Sequence, residues 1–318
     1  MSSAHRPSVS LSAGMVLLAV VAVCLAPSPG IAAQETGDTQ GCVPPCADTA
    51  SEIRRVPAPH SVTLRTGALI GGVIAVTGTY GYQAWWHDAG SDFRLYNEGW
   101  FGKDTYAGGV DKLGHMYVGY VGTRLLTRGL EWAGNDHTKA LRLAALTVGG
   151  IQLGIEVMDG FDPGSGFGIG DAVANFVGLG LGVVLEDNPV LDAMFDIRVR
   201  YWPSQEARRR DQVDPFGDYS GQTYLLITKA SAFPSLARHT LTRYLELAIG
   251  YSAVGFEPPE PAPVRRRTFY YGISINLSQL LDDTVFAKGH HPLARRVSHD
   301  FFEYIQVPGT VYLSGWNF

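Results

Sequence analysis

The chain has 318 residues, a formal net charge of -5, only 17% charged residues and 38 glycines. That balance excludes a global field that would recruit nucleic acid or an anionic membrane surface. Few charges and many small residues point instead to closely packed helices or to a chain that meets lipid.

Residues 1–33 read as a secretory signal. Arg6 supplies a basic start, residues 15–25 an apolar core, and Pro27-Ser28-Pro29-Gly30 a helix break. Gly30, Ala32 and Ala33 then offer a cleavage site before Gln34. Cys24 follows Val23 where a lipid-attachment signal needs a small residue, so the expectation is an exported, periplasmic chain without a convincing lipid anchor. Residues 34–60 are rich in Pro, Thr and Asp and read as a flexible leader. Within it Cys42 and Cys46 form an isolated pair. An oxidising compartment makes a local disulfide the default, and no further Cys or nearby His completes a metal site.

Residues 66–86 carry no charge, which is long enough for a bilayer span or for a buried core helix. Five glycines within the run, and Arg54, Arg55 and Arg65 before it, weigh toward the buried reading, and both alternatives stay open at this point. An aromatic stretch follows, with Trp85, Trp86, Phe93, Tyr96, Trp100 and Phe101, suited to a membrane interface or to a loop packed over helices. Three further helices are expected over 111–130, 138–158 and 171–185. Gly150 and Gly154, and Gly178 and Gly182, stand at the four-residue spacing that lets backbones approach. The expected fold is mainly α. A Gly-rich four-helix membrane-associated bundle over 61–195 is followed by a linker over 196–222 and a small antiparallel β-rich region over 223–318. Strand-like composition occurs at 224–229, 244–252, 269–277 and 310–316, with a proline- and arginine-rich loop at 257–267. So few strands exclude a closed membrane barrel, although Tyr312, Trp316 and Phe318 at period two resemble the last strand of outer-membrane proteins.

One polar cluster stands out. Asp111 and His115 are four apart on one helix, next to Lys112. Gln152, Glu156 and Asp159 form a stripe on the next helix, and Asp171 and Asn175 on the last. Antiparallel neighbours joined by short loops would bring the three sets to one end of the bundle. Asp111, His115, Glu156, Asp159 and Asp171 make a hard donor set for a divalent metal ion. Lys112, His115 and Glu156 make a catalytic set, with His115 or Glu156 as general base and Lys112 stabilising an anion. The plainer reading is structural. Asp111 and Asp171 would be helix N-caps after Gly108-Gly109 and Gly170, Asp159-Gly160 a helix end, and Glu156 a partner of Lys112. His87-Asp88 and His290-His291 read as wet loops, and no phosphate loop, nucleophile elbow or two-His zinc helix is present.

Glu98-Gly99-Trp100-Phe101, Asp111-Lys112-Leu113-Gly114-His115, Glu156-Val157-Met158-Asp159-Gly160 and Gly170-Asp171-Ala172-Val173-Ala174-Asn175 together resemble the YfiM-type family of predicted periplasmic lipoproteins, a domain of unknown function. The same residues are distantly similar to VanZ-like membrane proteins, with their D-K-x-x-H helix and later E…D-x-x-x-N pattern. The resemblance implies a fold and an envelope location, with the outer membrane favoured over the inner, and no established reaction. Two functional expectations follow: a metal-assisted or acid–base hydrolase on envelope lipid or glycan, and a non-catalytic envelope scaffold whose polar cluster fixes helix packing. A membrane lipid or envelope component is the expected partner, and nucleic acid is not.

Overall fold

The computed structural model describes residues 59–86, 90–102, 104–209, 214–256, 265–287 and 292–318. The expected signal, the leader with Cys42 and Cys46, His87-Asp88, His290-His291 and residues 257–264 of the proline-rich loop lie outside the described residues.

The helices fall close to where uncharged runs and glycine breaks place them. α1 (Pro59–Gly81) continues into a π-helical turn over Tyr82–Trp86. A two-residue strand β1 (Leu95–Tyr96) precedes α2 (Val110–Trp132) and α3 (His137–Gly160). Asp136 caps α3 by accepting from the Lys139 amide at 3.0 Å. Then come β2 (Phe167–Gly168), parallel to β1, and α4 (Ile169–Asp187).

α2 and α4 pack most closely because glycines face each other's backbone. A Cβ at Gly119 would lie 2.7 Å from the Asn175 carbonyl oxygen, and one at Gly178 would overlap the Met116 carbonyl. Gly182 makes the same kind of approach to Tyr120. Gly150 and Gly154 do not: nothing lies within 4 Å of a Cβ at either, so the expected close approach on α3 is absent. The compact helical unit is α2, α3 and α4 rather than four helices. α1 joins it through Leu69, which packs with Leu126, Leu130, Ala140, Ala144 and Val148, while most of its surface stays exposed. Of the two readings left open for this helix, a buried core helix does not fit, because its glycines Gly67, Gly71, Gly72 and Gly78 meet nothing within 4 Å of a Cβ. His60–Gly81, His137–Gly160 and Ile169–Asp187 are each long and apolar enough to cross a membrane, by length and composition.

After the short α5 (Pro189–Met194) the chain enters a five-stranded antiparallel meander. Its members are β3 (Phe195–Tyr201), β4 (Gln222–Lys229), β5 (Leu245–Val254), β6 (Arg266–Ile275) and β7 (Val311–Asn317), hydrogen-bonded in chain order. Short helices α6 (Gln205–Arg209) and α7 (Pro234–Ala237) lie in the connections. α8 (Leu277–Thr284) and α9 (Pro292–Tyr304) separate β6 from β7.

Two expectations need correction here. The segment read as a linker begins with strand β3. Its charged residues alternate with Ile197, Val199 and Tyr201, and the charges are satisfied internally: Arg198 donates to Asp196 and to both oxygens of Glu246 at 2.8 Å. The region read as β-rich also contains α8 and α9. α9 bridges to the bundle, where Tyr117 donates to the Tyr304 carbonyl at 2.7 Å and Arg128 pairs with Asp300 and Glu303.

Sheet and bundle share a core in which Tyr117, Tyr120, Val121 and Leu125 of α2 meet Leu185, Ile197, Tyr224 and Tyr304. Beneath it, fully buried Arg124 pairs with Glu186 at 2.9 Å, with Glu303 at 2.5 Å and with Asp192. Removing one member of such a network strands the others in low dielectric, which costs about 3–5 kcal/mol. Arg124→Met should therefore lower unfolding stability by about that amount in a urea titration. A loss under about 1 kcal/mol would show that the network does not join α9 to the bundle.

Candidate functional site

The site is built where the start of α2, the end of α3 and the start of α4 meet. Residues 97–101 are held over this end by the β1–β2 pair and by Arg94, whose guanidinium donates to the carbonyls of Asp162, Pro163 and Ser165. The chain then turns sharply into α2 through Ala107, Gly108 and Gly109, all at positive φ. Gly109 is required there, since a Cβ would lie 2.7 Å from the Trp100 carbonyl oxygen.

The turn sets Lys112 in the first turn of α2, only 3% exposed, with its ammonium 2.7 Å from Glu98 Oε2, Asp111 Oδ2 and Asp171 Oδ1. Asp111 and Asp171 thus lie within the first turns of their helices and bind Lys112, while Gly109 and Gly168 occupy the N-cap positions. That corrects the N-cap reading. Glu156 is not a partner of Lys112 either. Burial alone would lower the Lys112 pKa, and the surrounding carboxylates more than offset it, so the ammonium stays charged.

A second layer lies one helical turn along. Asn175 Nδ2 donates to Glu156 Oε1 at 3.1 Å, and Asn175 Oδ1 accepts from Gln152 Nε2 at 2.6 Å. His115 Nδ1 stands 3.2 Å from the same Asn175 oxygen. With that oxygen accepting, the His115 proton sits on Nδ1 and Nε2 keeps its lone pair. The nearest carboxylate oxygen to Nε2 belongs to Asp171, at 3.7 Å. The His115 side chain is 32% exposed. Burial pushes its pKa below the ordinary value, with Asp171 and Asn175 pulling weakly upward. Burial, with Asp171 and Asp159 nearby, raises Glu156 to about 8. Burial raises Asp111 to about 7 against the pull of Lys112. Asp159 sits apart: burial raises it to about 6, and the Trp86 indole N–H donates to it at 2.7 Å.

The five residues expected to bind a metal therefore divide. Asp111 and Asp171 hold Lys112, His115 and Glu156 meet at Asn175, and Asp159 meets Trp86. Glu98, Asp111 and Asp171 do offer oxygens within 4.8 Å of one another, a spacing that suits a cation. The Lys112 ammonium already contacts all three, so these donors fit a divalent ion only if a buried cation leaves. His299, Asp300 and Glu303 form a similar group, and there Arg124 and Arg128 engage the carboxylates.

A cavity of about 250 Å³ opens beside the second layer, between the bundle and the sheet. Asp111, His115, Gln152 and Asn175 form its polar head. Tyr117, Val118, Ile155, Val199, Phe216, Tyr219 and Tyr224 form its apolar wall. Asp111 Oδ1 and Gln152 Oε1 are buried there with no hydrogen-bond partner. Sequence reasoning missed two parts of this arrangement. Glu98 was visible only inside a family-like stretch, and the wall from Phe216 to Tyr224 lies mainly in residues read as linker.

Residues 97–187 match the family model described as predicted periplasmic lipoprotein (DUF2279). The match covers less than a third of the chain and contains every member of both polar layers. No curated protein and no solved structure matches the chain. The DUF2279 segment ends with α4, so the sheet and its side of the cavity fall outside it.

The raised Glu156 carboxyl has a consequence for stability. Below its ordinary 4.5 it is neutral in both folded and unfolded chains. Between there and about 8 the unfolded chain releases a proton that the folded chain retains, so stability falls as pH rises. Glu156→Gln mimics the neutral form and should raise the melting temperature, with a gain much larger at pH 8 than at pH 5. Equal shifts at both pH values would mean that the carboxyl is ionised in the folded chain.

Proposed function

We propose that this is an envelope protein, exported to the periplasm and associated with a membrane, whose cavity head is an acid–base centre for hydrolysing an amphipathic envelope lipid or glycan. The periplasmic placing rests on the DUF2279 match and on the signal-like first 33 residues. The YfiM-type name and a distant VanZ-like relation belong to the same proposal, since both rest on the quoted motifs alone.

The observation that carries the chemistry is the His115 imidazole. Its Nδ1 is tied to Asn175 Oδ1, and its ring lines a cavity with a polar head and an apolar wall. Asp111, one helical turn back, lines the same cavity with an unpartnered oxygen. Burial moves the two groups toward each other on the pH scale, the imidazole downward and the carboxyl upward. Near neutrality this supplies a neutral base beside a partly protonated acid, a division of roles that acid–base enzymes use. In an ester, His115 Nε2 takes a proton from water as its oxygen attacks the carbonyl carbon. The bond to the alcohol oxygen breaks, and Asp111 gives that oxygen its proton. The His115 imidazolium then returns a proton to Asp111, which restores both groups.

In this scheme Lys112 holds Asp111 and Asp171 in place, and its charge is already met by three carboxylates rather than by a substrate anion. Glu156 fixes Asn175, and so the tautomer of His115. Lys112 also favours the second reading, a non-catalytic scaffold, because the same three contacts tie the segment before α2 to α2 and α4.

The purified protein should release product, detected by mass spectrometry, from a Gram-negative envelope lipid and glycan extract. kcat/KM should be bell-shaped in pH, with the acid limb below the ordinary histidine value of 6.5 and the alkaline limb near 7. His115→Ala should reduce the rate by about 10²–10⁴-fold with the fold intact. No product from the wild-type protein, together with a His115→Ala variant of lowered melting temperature, would favour the scaffold.

A further inference from the structure

The meander is apolar on both faces, and only one of them is covered along its full height. In a soluble antiparallel sheet the apolar face is covered and the polar face is wet. Here the covered face holds Leu225, Ile227 and Ala248 together with buried Glu246, which accepts from Arg198, and buried Ser274, which accepts from Gln306. The other face is exposed and apolar wherever the bundle does not cover it. Leu226, Ile249 and Tyr271 form one row across the strands, and Leu247, Ile273 and Tyr312 the next, all exposed. From Phe269 to Ile275 along β6 the outward residues Phe269, Tyr271, Ile273 and Ile275 are all exposed and none is charged. At about 3.4 Å per residue that height is roughly 20 Å, comparable to the apolar band of a membrane β-structure.

Charge and aromatic rings gather at one end of this face. Phe269 pairs across the ladder with Trp316, and Phe318 lies beside them with its ring 5.8 Å from that of Trp316. Arg266 and Arg267 open β6 at the same end, with the Arg267 guanidinium 4.5 Å above the Phe318 ring. A charge-free slab, a row of Trp and Phe, and then arginines follow the order of acyl chain, interface and anionic headgroup. The chain's negative total does not oppose this, because a local pair of arginines acts within a Debye length.

We propose that the exposed face of β5–β7 docks on a membrane surface, with its aliphatic rows against acyl chains and Arg266 and Arg267 on anionic phospholipid headgroups. The proposal rests on the sheet alone and stands whether or not the His115 cavity is catalytic. Partition of this face into lipid would also set the bundle beside the bilayer.

An environment-sensitive NBD fluorophore tests it residue by residue. Ile273→Cys on the proposed face and Arg296→Cys on α9, behind the sheet, are each labelled in the full chain with Cys24, Cys42 and Cys46 replaced by Ser. Vesicles of phosphatidylethanolamine with phosphatidylglycerol should shift the 273 probe to the blue, brighten it several-fold and expose it to quenching by brominated lipid. The 296 probe should not respond. Arg266→Glu with Arg267→Glu should weaken the 273 response. A 273 probe that reports water on vesicle-bound protein would overturn the proposal, since binding through the helices alone gives that result. So would a 273 probe already shifted before vesicles are added, in a protein that sediments as a dimer, because a second copy would then cover the face.

Discussion

Three carboxylates around a single buried ammonium organise this molecule. Lys112 lies in the first turn of α2 beside its partner Asp111, and its other two partners come from the loop before α2 and from the first turn of α4. An ammonium buried without them would cost many kcal/mol, so loop and helices must arrive together. Once they do, the layer containing His115, Gln152, Glu156 and Asn175 follows from helix periodicity, one turn further into the bundle. The cavity head is therefore set by a cation that does not itself reach the cavity. A substitution at Glu98, outside the helices, should disturb His115 through this route.

The same contact explains why a metal site and an ion-pair site look alike from sequence. Both need several carboxylates on neighbouring helix ends, and both leave an aspartate in a first turn. What separates them is whether a lysine can reach the centre. Here Gly170 makes that reach possible, because a Cβ at that position would lie only 3.0 Å from the Lys112 Cε. A spacing argument sees the donors and cannot see the path of a long flexible side chain between them.

The helical part was legible because uncharged runs bounded by glycine and acidic residues leave few alternatives. α2, expected over 111–130, occupies Val110–Trp132, and the strands β4 to β7 also fall near their expected places. β3 was hidden because its inward positions hold Asp196 and Arg198, so its alternation looked like a solvated linker. α8 and α9 were hidden by their position between strand-like segments. The cavity wall was illegible for a further reason, since Phe216, Tyr219 and Tyr224 meet α2 only through tertiary packing, which no local period encodes. The glycines show the same limit: Gly178 and Gly150 have similar sequence surroundings, and only one of them faces a neighbouring helix.

The meander and the consecutive helices let most neighbours in space be neighbours in sequence, which favours rapid local assembly. The ties of Arg124 and Arg128 to Asp300 and Glu303 run the other way, across more than half the chain. A polypeptide emerging N-terminus first completes α2 long before α9 exists to neutralise it. Glu186 and Asp192 can meet Arg124 once α4 and α5 exist, but Asp300 and Glu303, which complete the network beside Tyr304, arrive almost last. The C-terminal segment thus acts as a latch on folding. A chain stopped before residue 300 would leave Arg128 without Asp300 and both arginines without Glu303, which makes it a substrate for quality-control proteolysis rather than a smaller working protein.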